Sequence, residues 1–115
     1  MHAAAEAADY YSQAIACTQQ APVENGWLVH LYGRRGRTLE LSGRFDDALA
    51  NYLEMMEVAA ALGEPAIWLA SLAAQCIVRA TQTPLYDPPL AKELGEQALA
   101  LARELSDRAT ESKVL

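Results

Sequence analysis

A pattern of paired helices recurs along this sequence at a spacing of about 41 residues. Trp27 and Trp68 lie 41 positions apart, each near the start of a segment with helical periodicity. A related triplet recurs in alternate segments, as Ala7-Tyr11-Ala14, Ala48-Tyr52-Met55 and Ala91-Gly95-Ala98. Two helices in each period of roughly 40 residues are typical of an α-solenoid, because one helix pair cannot bury both its faces and neighbouring pairs must stack. The sequence therefore predicts an all-α fold built from antiparallel helix hairpins.

Glycine, proline and aspartate mark the ends of the predicted helices. Pro22 cannot continue the first helix, since its nitrogen has no hydrogen to donate. Gly43 and Gly63 suit the position just after a helix end, and Asp87 followed by proline is a strong helix start. The predicted helices run from about 3 to 19, 25 to 42, 45 to 62, 65 to 80 and 88 to 105, with a further helix starting at Ser106 or Asp107.

The second and third helices hold the most regular motif, which is Tyr32, Gly36, Leu39, Gly43-Arg44-Phe45-Asp46-Asp47-Ala48 and Tyr52. This order of an aromatic, a small residue, a large aliphatic, a Gly-aromatic turn, an alanine and an aromatic resembles the tetratricopeptide repeat. Met55 departs from the pattern, because the family usually has alanine there. The resemblance implies a right-handed superhelix in which the first helix of each pair lines a concave groove.

The resemblance covers nearly the whole chain as one domain. It divides the chain into the second helix of a preceding repeat (1–22), a full repeat (23–63), a degenerate repeat (64–106) and the start of a further helix (107–115). The long periods resemble the repeat arrays of large bacterial signalling proteins. The chain is therefore expected to be a fragment of a larger regulatory protein. Its uncovered end helices, with Ala4, Ala8, Tyr11 and Ile15 on one face of the first, would then favour a homodimer.

Positive charge is concentrated in one part of an otherwise acidic chain. The net charge is −6, which argues against nucleic acid as a partner. Residues 27–45 nevertheless carry four arginines, Arg34, Arg35, Arg37 and Arg44, against a single acidic residue. These arginines either recognise a carboxylate-bearing peptide or pair within the chain with Asp46, Asp47 or Glu24.

The tetratricopeptide resemblance also indicates which residues would face the groove. On the second helix they are His30, Gly33, Arg34, Arg37 and Glu40. At the 41-residue shift they become Ser71, Ala74, Gln75, Val78 and Thr81 on the fourth helix.

No arrangement of residues predicts catalysis, a cofactor or a metal site. Gly33 and Gly36 lie within a helical pattern and not in a phosphate-binding loop, and His30 has no cysteine, aspartate or histidine at the spacing of a zinc site. Cys17 and Cys76 are expected to be buried, reduced thiols. With no membrane-spanning run and no secretory signal, these features favour a cytoplasmic, non-enzymatic protein.

Two functions remain open on the sequence. The first is a protein-interaction scaffold that binds a peptide or protein segment, acidic if the arginines contact it, in the concave groove. The alternative is a regulatory or spacer module that self-associates, or whose groove is closed by its own parent chain. Open arginines favour the first function, and internally paired arginines favour the second.

Overall fold

The computed structural model describes residues 2–19 and 24–105, and within these ranges the chain is entirely helical and has no strand. The helices are α1 (His2–Thr18), α2 (Asn25–Leu41), α3 (Phe45–Leu62), α4 (Pro65–Ala80) and α5 (Pro88–Glu104). The five predicted helices are confirmed, with ends that agree within about one residue. The proposed stop at Pro22 and the further helix at 107–115 lie outside the described residues.

The helix ends follow from local chemistry, and the ends of α2 and α3 have the same type of turn. Gly43 (φ 76°) and Gly63 (φ 65°) adopt the left-handed conformation that a residue with a side chain avoids. After each glycine, the next backbone N–H reaches back to the helix, from Arg44 to Leu39 and from Glu64 to Ala59. At the start of α5, the carboxylate of Asp87 accepts the N–H of Leu90 at 3.2 Å.

The chain divides into two compact units, one up to Glu54 and one from Met55 onward. In the first unit, α1 packs against α2, and the start of α3 contacts α2. The buried hydrophobic side chains of this unit are Ala8, Ile15, Leu28, Leu31, Tyr32, Leu39, Ala48 and Tyr52. Ala8 and Ile15, predicted to form an apolar face of the first helix, are therefore already covered. Apolar residues at helical spacing on α3 predict that Leu49 is buried together with Tyr52, but Leu49 is partly exposed.

A close contact between Gly36 and Tyr52 joins α2 to α3. A Cβ atom added at Gly36 would overlap the far end of the Tyr52 ring, so no larger residue fits unless the ring moves. Tyr52 is almost fully buried, and its hydroxyl donates a hydrogen bond to the carboxylate of Glu40. The motif predicts that small residues such as Gly36 let paired helices approach closely while an aromatic fills the gap between them, and this contact has that form.

In the second unit, α4 and α5 form an antiparallel pair around their own apolar core. Its buried members are Leu69, Leu72, Leu94, Ala98 and Ala102, and Met56, Trp68, Cys76, Leu90 and Leu101 pack against them. Gly95 replaces the aromatic of the repeat, and a Cβ there would lie 3.3 Å from the Sγ of Cys76.

The two cysteines differ in their surroundings. Cys17 is exposed, so the prediction that it is buried is wrong. Cys17 lies within α1 as the helical pattern predicts, but it is on a side of the helix that is exposed to solvent. Cys76 is half-buried, its thiol donates to the carbonyl of Ala91 at 3.3 Å, and burial raises its pKa. None of the helices in the described ranges has the length and hydropathy to cross a bilayer.

Candidate functional site

One side of α2 presents a continuous row of exposed side chains, which we call the α2 stripe. Its members are Trp27, His30, Arg34, Arg37 and Leu41. Steps of three and four residues place them on the same side of the helix, and at 1.5 Å per residue the row is about 21 Å long. Its apolar ends are unusually open, since Trp27 is 58% and Leu41 70% exposed.

The centre of the α2 stripe is positive. Arg34 is exposed and has no hydrogen-bond or ion-pair partner among the residues that the structure describes. Arg37 is 66% exposed at its side chain, and its contact with Glu40 is long at 3.6 Å. An exposed pair of this kind contributes little to stability, so the guanidinium of Arg37 can exchange one carboxylate partner for another at small cost.

At the aromatic end of the stripe, two rings contact each other. Trp27 and His30 pack edge to face, with ring centroids 6.2 Å apart. They line a shallow cleft of about 300 Å³ together with Glu24 and Gly26. This end offers a flat apolar surface beside the arginines, which suits an aromatic or aliphatic side chain of a partner.

Glu40, also predicted to face the groove, is held toward α3. Its side chain is only 16% exposed, and it accepts the hydroxyl of Tyr52 as well as the contact from Arg37. Gly33 is partly exposed, with no atom close enough to contact an added Cβ. Within α2, the open candidates are therefore His30, Arg34 and Arg37.

Three of the five corresponding candidates at the 41-residue shift are buried. Ser71, Gln75 and Val78 are at most 6% exposed. The amide of Gln75 donates to the hydroxyl of Ser71 at 3.0 Å and to the sulfur of Met56 at 2.9 Å. These three side chains are thus engaged in packing and are not available to a partner in this conformation. Of the other two predicted residues, Ala74 is half-buried and Thr81 is exposed.

Sequence reasoning did not single out Arg35, which forms the densest polar network of the first unit. Its side chain is 14% exposed and pairs with Glu54 at 2.7 Å. It also donates to Asn51 at 2.6 Å and to Ser12 at 3.1 Å. The guanidinium carbon lies 5.1 Å from the centre of the Tyr32 ring. Arg35 therefore links α1, α2 and α3 and is not part of the open surface.

Internal pairing thus accounts for most of the positive block. Arg44 pairs with Asp47 at 2.9 Å across the start of α3, as one predicted alternative had it. Arg35 and Arg37 use Glu54 and Glu40, which the sequence did not indicate. Trp27 and Leu41 were also missed, since helical periodicity predicts burial of large apolar residues and gives no signal for their exposure.

The buried phenol of Tyr52 makes a pH-dependent contribution to stability. Burial raises the pKa of the Tyr52 phenol far above its ordinary value, and the hydrogen bond to Glu40 and the negative charge of Glu40 raise it further. The folded chain keeps this proton at a pH where the unfolded chain, with a pKa of about 10, releases it. The contribution is therefore fully present below about pH 10 and is lost as the pH rises above it.

We expect ionisation of Tyr52 in the unfolded chain to lower the free energy of unfolding by about 1.4 kcal/mol for each pH unit above ~10. Urea denaturation between about pH 9 and 11 measures this slope. Tyr52→Phe should remove it. Glu40→Gln, which keeps an acceptor but no charge, should retain most of it, because burial is the largest cause. An unchanged slope in Tyr52→Phe would contradict the assignment.

Within residues 2–19 and 24–105, no three histidine, cysteine or acidic side chains come together as metal ligands. Neither a protein-family model nor a curated protein matches this chain, and no solved structure matches it. Its function has to be inferred from its own side chains.

Proposed function

We propose that this chain is a non-catalytic protein-interaction module that binds an acidic protein segment along the α2 stripe. The observation that supports this most is the stripe itself, in which two exposed arginines lie between an exposed tryptophan and an exposed leucine. None of its five side chains is acidic, although the chain carries a net charge of −6. An acidic partner would be attracted to this part of the surface and repelled by most of the rest.

The proposal places the α2 stripe in a tetratricopeptide-like α-solenoid. Three features support that architecture: the hairpins of consecutive helices, the shared turn at Gly43 and Gly63, and the contact between Gly36 and Tyr52. In a right-handed superhelix of this kind, α2 is the first helix of its pair. The α2 stripe would then lie on the concave side, where such arrays receive extended or helical segments.

The chemistry of the α2 stripe defines the partner. Guanidinium groups bind carboxylates through two parallel hydrogen bonds, which gives direction as well as charge attraction. Trp27 and Leu41 would each take an apolar side chain. At about 21 Å the stripe matches six or seven residues of extended chain at ~3.3 Å each. The expected partner segment therefore has two carboxylates between apolar residues.

A pair of short peptides tests this proposal. The first is a fluorescein-labelled seven-residue peptide with two glutamates between a leucine and a phenylalanine, and the second has lysines in place of the glutamates. Fluorescence anisotropy should show binding of the glutamate peptide, weakening as salt rises because the contacts are exposed. The lysine peptide should not bind. Equal binding of both peptides would contradict the proposal.

Arginine variants test where the glutamate peptide binds. Arg34→Gln should weaken binding about threefold, and Arg34→Gln with Arg37→Gln about tenfold, since exposed charge pairs contribute ~0.2–1 kcal/mol each. Lys92→Gln is the matched control, because Lys92 is exposed on α5, outside the stripe. Binding that all three variants weaken equally would reflect net charge alone and would count against the α2 stripe.

Internal pairing of Arg35, Arg37 and Arg44 favours a second candidate, a regulatory or spacer module that self-associates. Sedimentation velocity over micromolar to millimolar concentrations separates the two. A mass that increases with concentration, together with no binding of the glutamate peptide, would favour the spacer.

A further inference from the structure

A second open cleft lies in the second unit, on different residues from the α2 stripe. It has a volume of about 560 Å³, within the range of small-molecule sites. Ala59 and Leu72, both buried, form its floor, and the half-buried Trp68 and Leu101 line its walls. An apolar surface of this kind is open to solvent in the described chain and would release water on taking up an apolar group.

The dimensions of the cleft favour a compact occupant. Its wall residues run from Pro65 to Leu72 on α4 and from Gln97 to Glu104 on α5. Each range covers about two helical turns, or ~10 Å. This length equals the shortest span of a docked helix, whose anchor side chains lie at i, i+3, i+4 and i+7, and it leaves no groove for the flanking turns of such a helix. The cleft therefore matches one small ring or branched aliphatic group better than a longer segment.

The charged groups that line the cleft are both carboxylates, those of Glu64 and Glu104, and neither has a hydrogen-bond or ion-pair partner among the residues described. Glu64 occupies the N-cap position of α4, but its side chain makes no capping hydrogen bond. Both carboxylates are thus available to a cation. The lining includes no lysine, arginine or histidine that would oppose one.

Helix dipoles add to this preference. The cleft lies where α3 and α5 end and α4 begins. Two helix C-termini contribute partial negative charge and one N-terminus contributes partial positive charge, so the sum favours a cation. The indole of Trp68 provides an aromatic surface, which attracts an ammonium group by its negative face.

From this geometry we infer that the cleft binds a small organic cation: a free amine, protonated at neutral pH, on a compact apolar body. Leu72, Trp68 and Leu101 contact the apolar body. Glu64 and Glu104 accept hydrogen bonds from the ammonium group. This site is independent of the peptide binding proposed for the α2 stripe, because it uses no residue of that stripe.

Trp68 fluorescence tests the inference in the full chain carrying Trp27→Phe, so that Trp68 is the single tryptophan. The probe is 2-phenylethylammonium, with 3-phenylpropionate as the anionic counterpart of similar size. We expect saturable binding of the amine in the millimolar range and at least tenfold weaker binding of the acid. A response to both probes with equal affinity would show an apolar surface without charge selectivity and would overturn the inference.

Paired variants locate the charge preference. Glu64→Gln with Glu104→Gln should weaken amine binding about tenfold and should leave that of the acid unchanged or stronger. Glu57→Gln with Glu93→Gln is the matched control, since both residues are exposed on α3 and α5 and lie outside the cleft. Circular dichroism verifies that each variant folds. Loss of amine binding in both pairs, or in neither, would overturn the assignment to Glu64 and Glu104.

Discussion

Replacing Gly36 with alanine is expected to lower the free energy of unfolding by about 2 kcal/mol, although alanine is the better helix former. The new methyl group would overlap the end of the Tyr52 ring. That ring cannot move aside freely, because it is buried and its hydroxyl is bound to Glu40. Overpacking of this kind costs ~1–3 kcal/mol or more, and the gain in helix propensity, about 1 kcal/mol, offsets only part of it.

Gly33→Ala in the same helix is the control, and its effect should have the opposite sign. An added Cβ at Gly33 has nothing within 4 Å, so the chain should gain up to ~1 kcal/mol from helix propensity alone. Urea denaturation followed by circular dichroism measures both variants. In a chain carrying Tyr52→Leu, the penalty of Gly36→Ala should disappear. If both glycine variants changed stability alike, the contact between Gly36 and Tyr52 would not be the cause.

The ends of the helices could be predicted from the sequence because each depends on a few adjacent residues. Gly43 and Gly63 adopt a backbone conformation that favours glycine, and the carboxylate of Asp87 accepts an N–H three residues away. The contact between Gly36 and Tyr52 could be predicted as well, since one motif contains both residues. The right-handed stacking of hairpins stays a prediction.

The side on which each helix is covered could not be predicted from the repeat. A shift of 41 residues relates Arg34 to Gln75, but one is exposed and the other buried. Periodicity shows which residues share a face of a helix, whereas burial depends on which other elements pack against that face. Gln75 and Ser71 can be buried together because the amide of Gln75 donates a hydrogen bond to the hydroxyl of Ser71. An arginine at position 75 would bring a charge that a serine hydroxyl does not neutralise.

The burial of Arg35 could not be predicted from the local sequence either. Its three polar partners Ser12, Asn51 and Glu54 lie 16 to 23 positions away in the chain. Nothing in the local sequence separates Arg35 from its neighbour Arg34, which has no partner among the described residues. Only the packing of three helices assigns one arginine to the interior and the other to the α2 stripe.

Arg35→Met is accordingly expected to lower the free energy of unfolding by about 3 kcal/mol. Methionine keeps the length of the apolar stem but removes every donor. The oxygen of Asn51, a residue only 3% exposed, would lose its hydrogen bond. An unsatisfied buried polar group costs ~1–3 kcal/mol, and hydrogen bonds to a charged group contribute ~1.5–3 kcal/mol. Loss of the ion pair with Glu54 lowers the free energy of unfolding by less, because Glu54 is half-exposed and water can solvate it.

Arg34→Met is the matched control for this prediction, and it should change stability by less than ~0.5 kcal/mol. Arg34→Met should also weaken binding of the glutamate peptide. Arg35→Met should affect peptide binding only to the extent that the variant unfolds the first unit. A double-mutant cycle of Arg35→Met with Glu54→Gln should give a coupling of about 1 kcal/mol. Equal stability of the two methionine variants would mean that Arg35 does not hold α1, α2 and α3 together. The assignment of Arg34 and Arg37, and not Arg35, to the binding surface would then lose its physical basis.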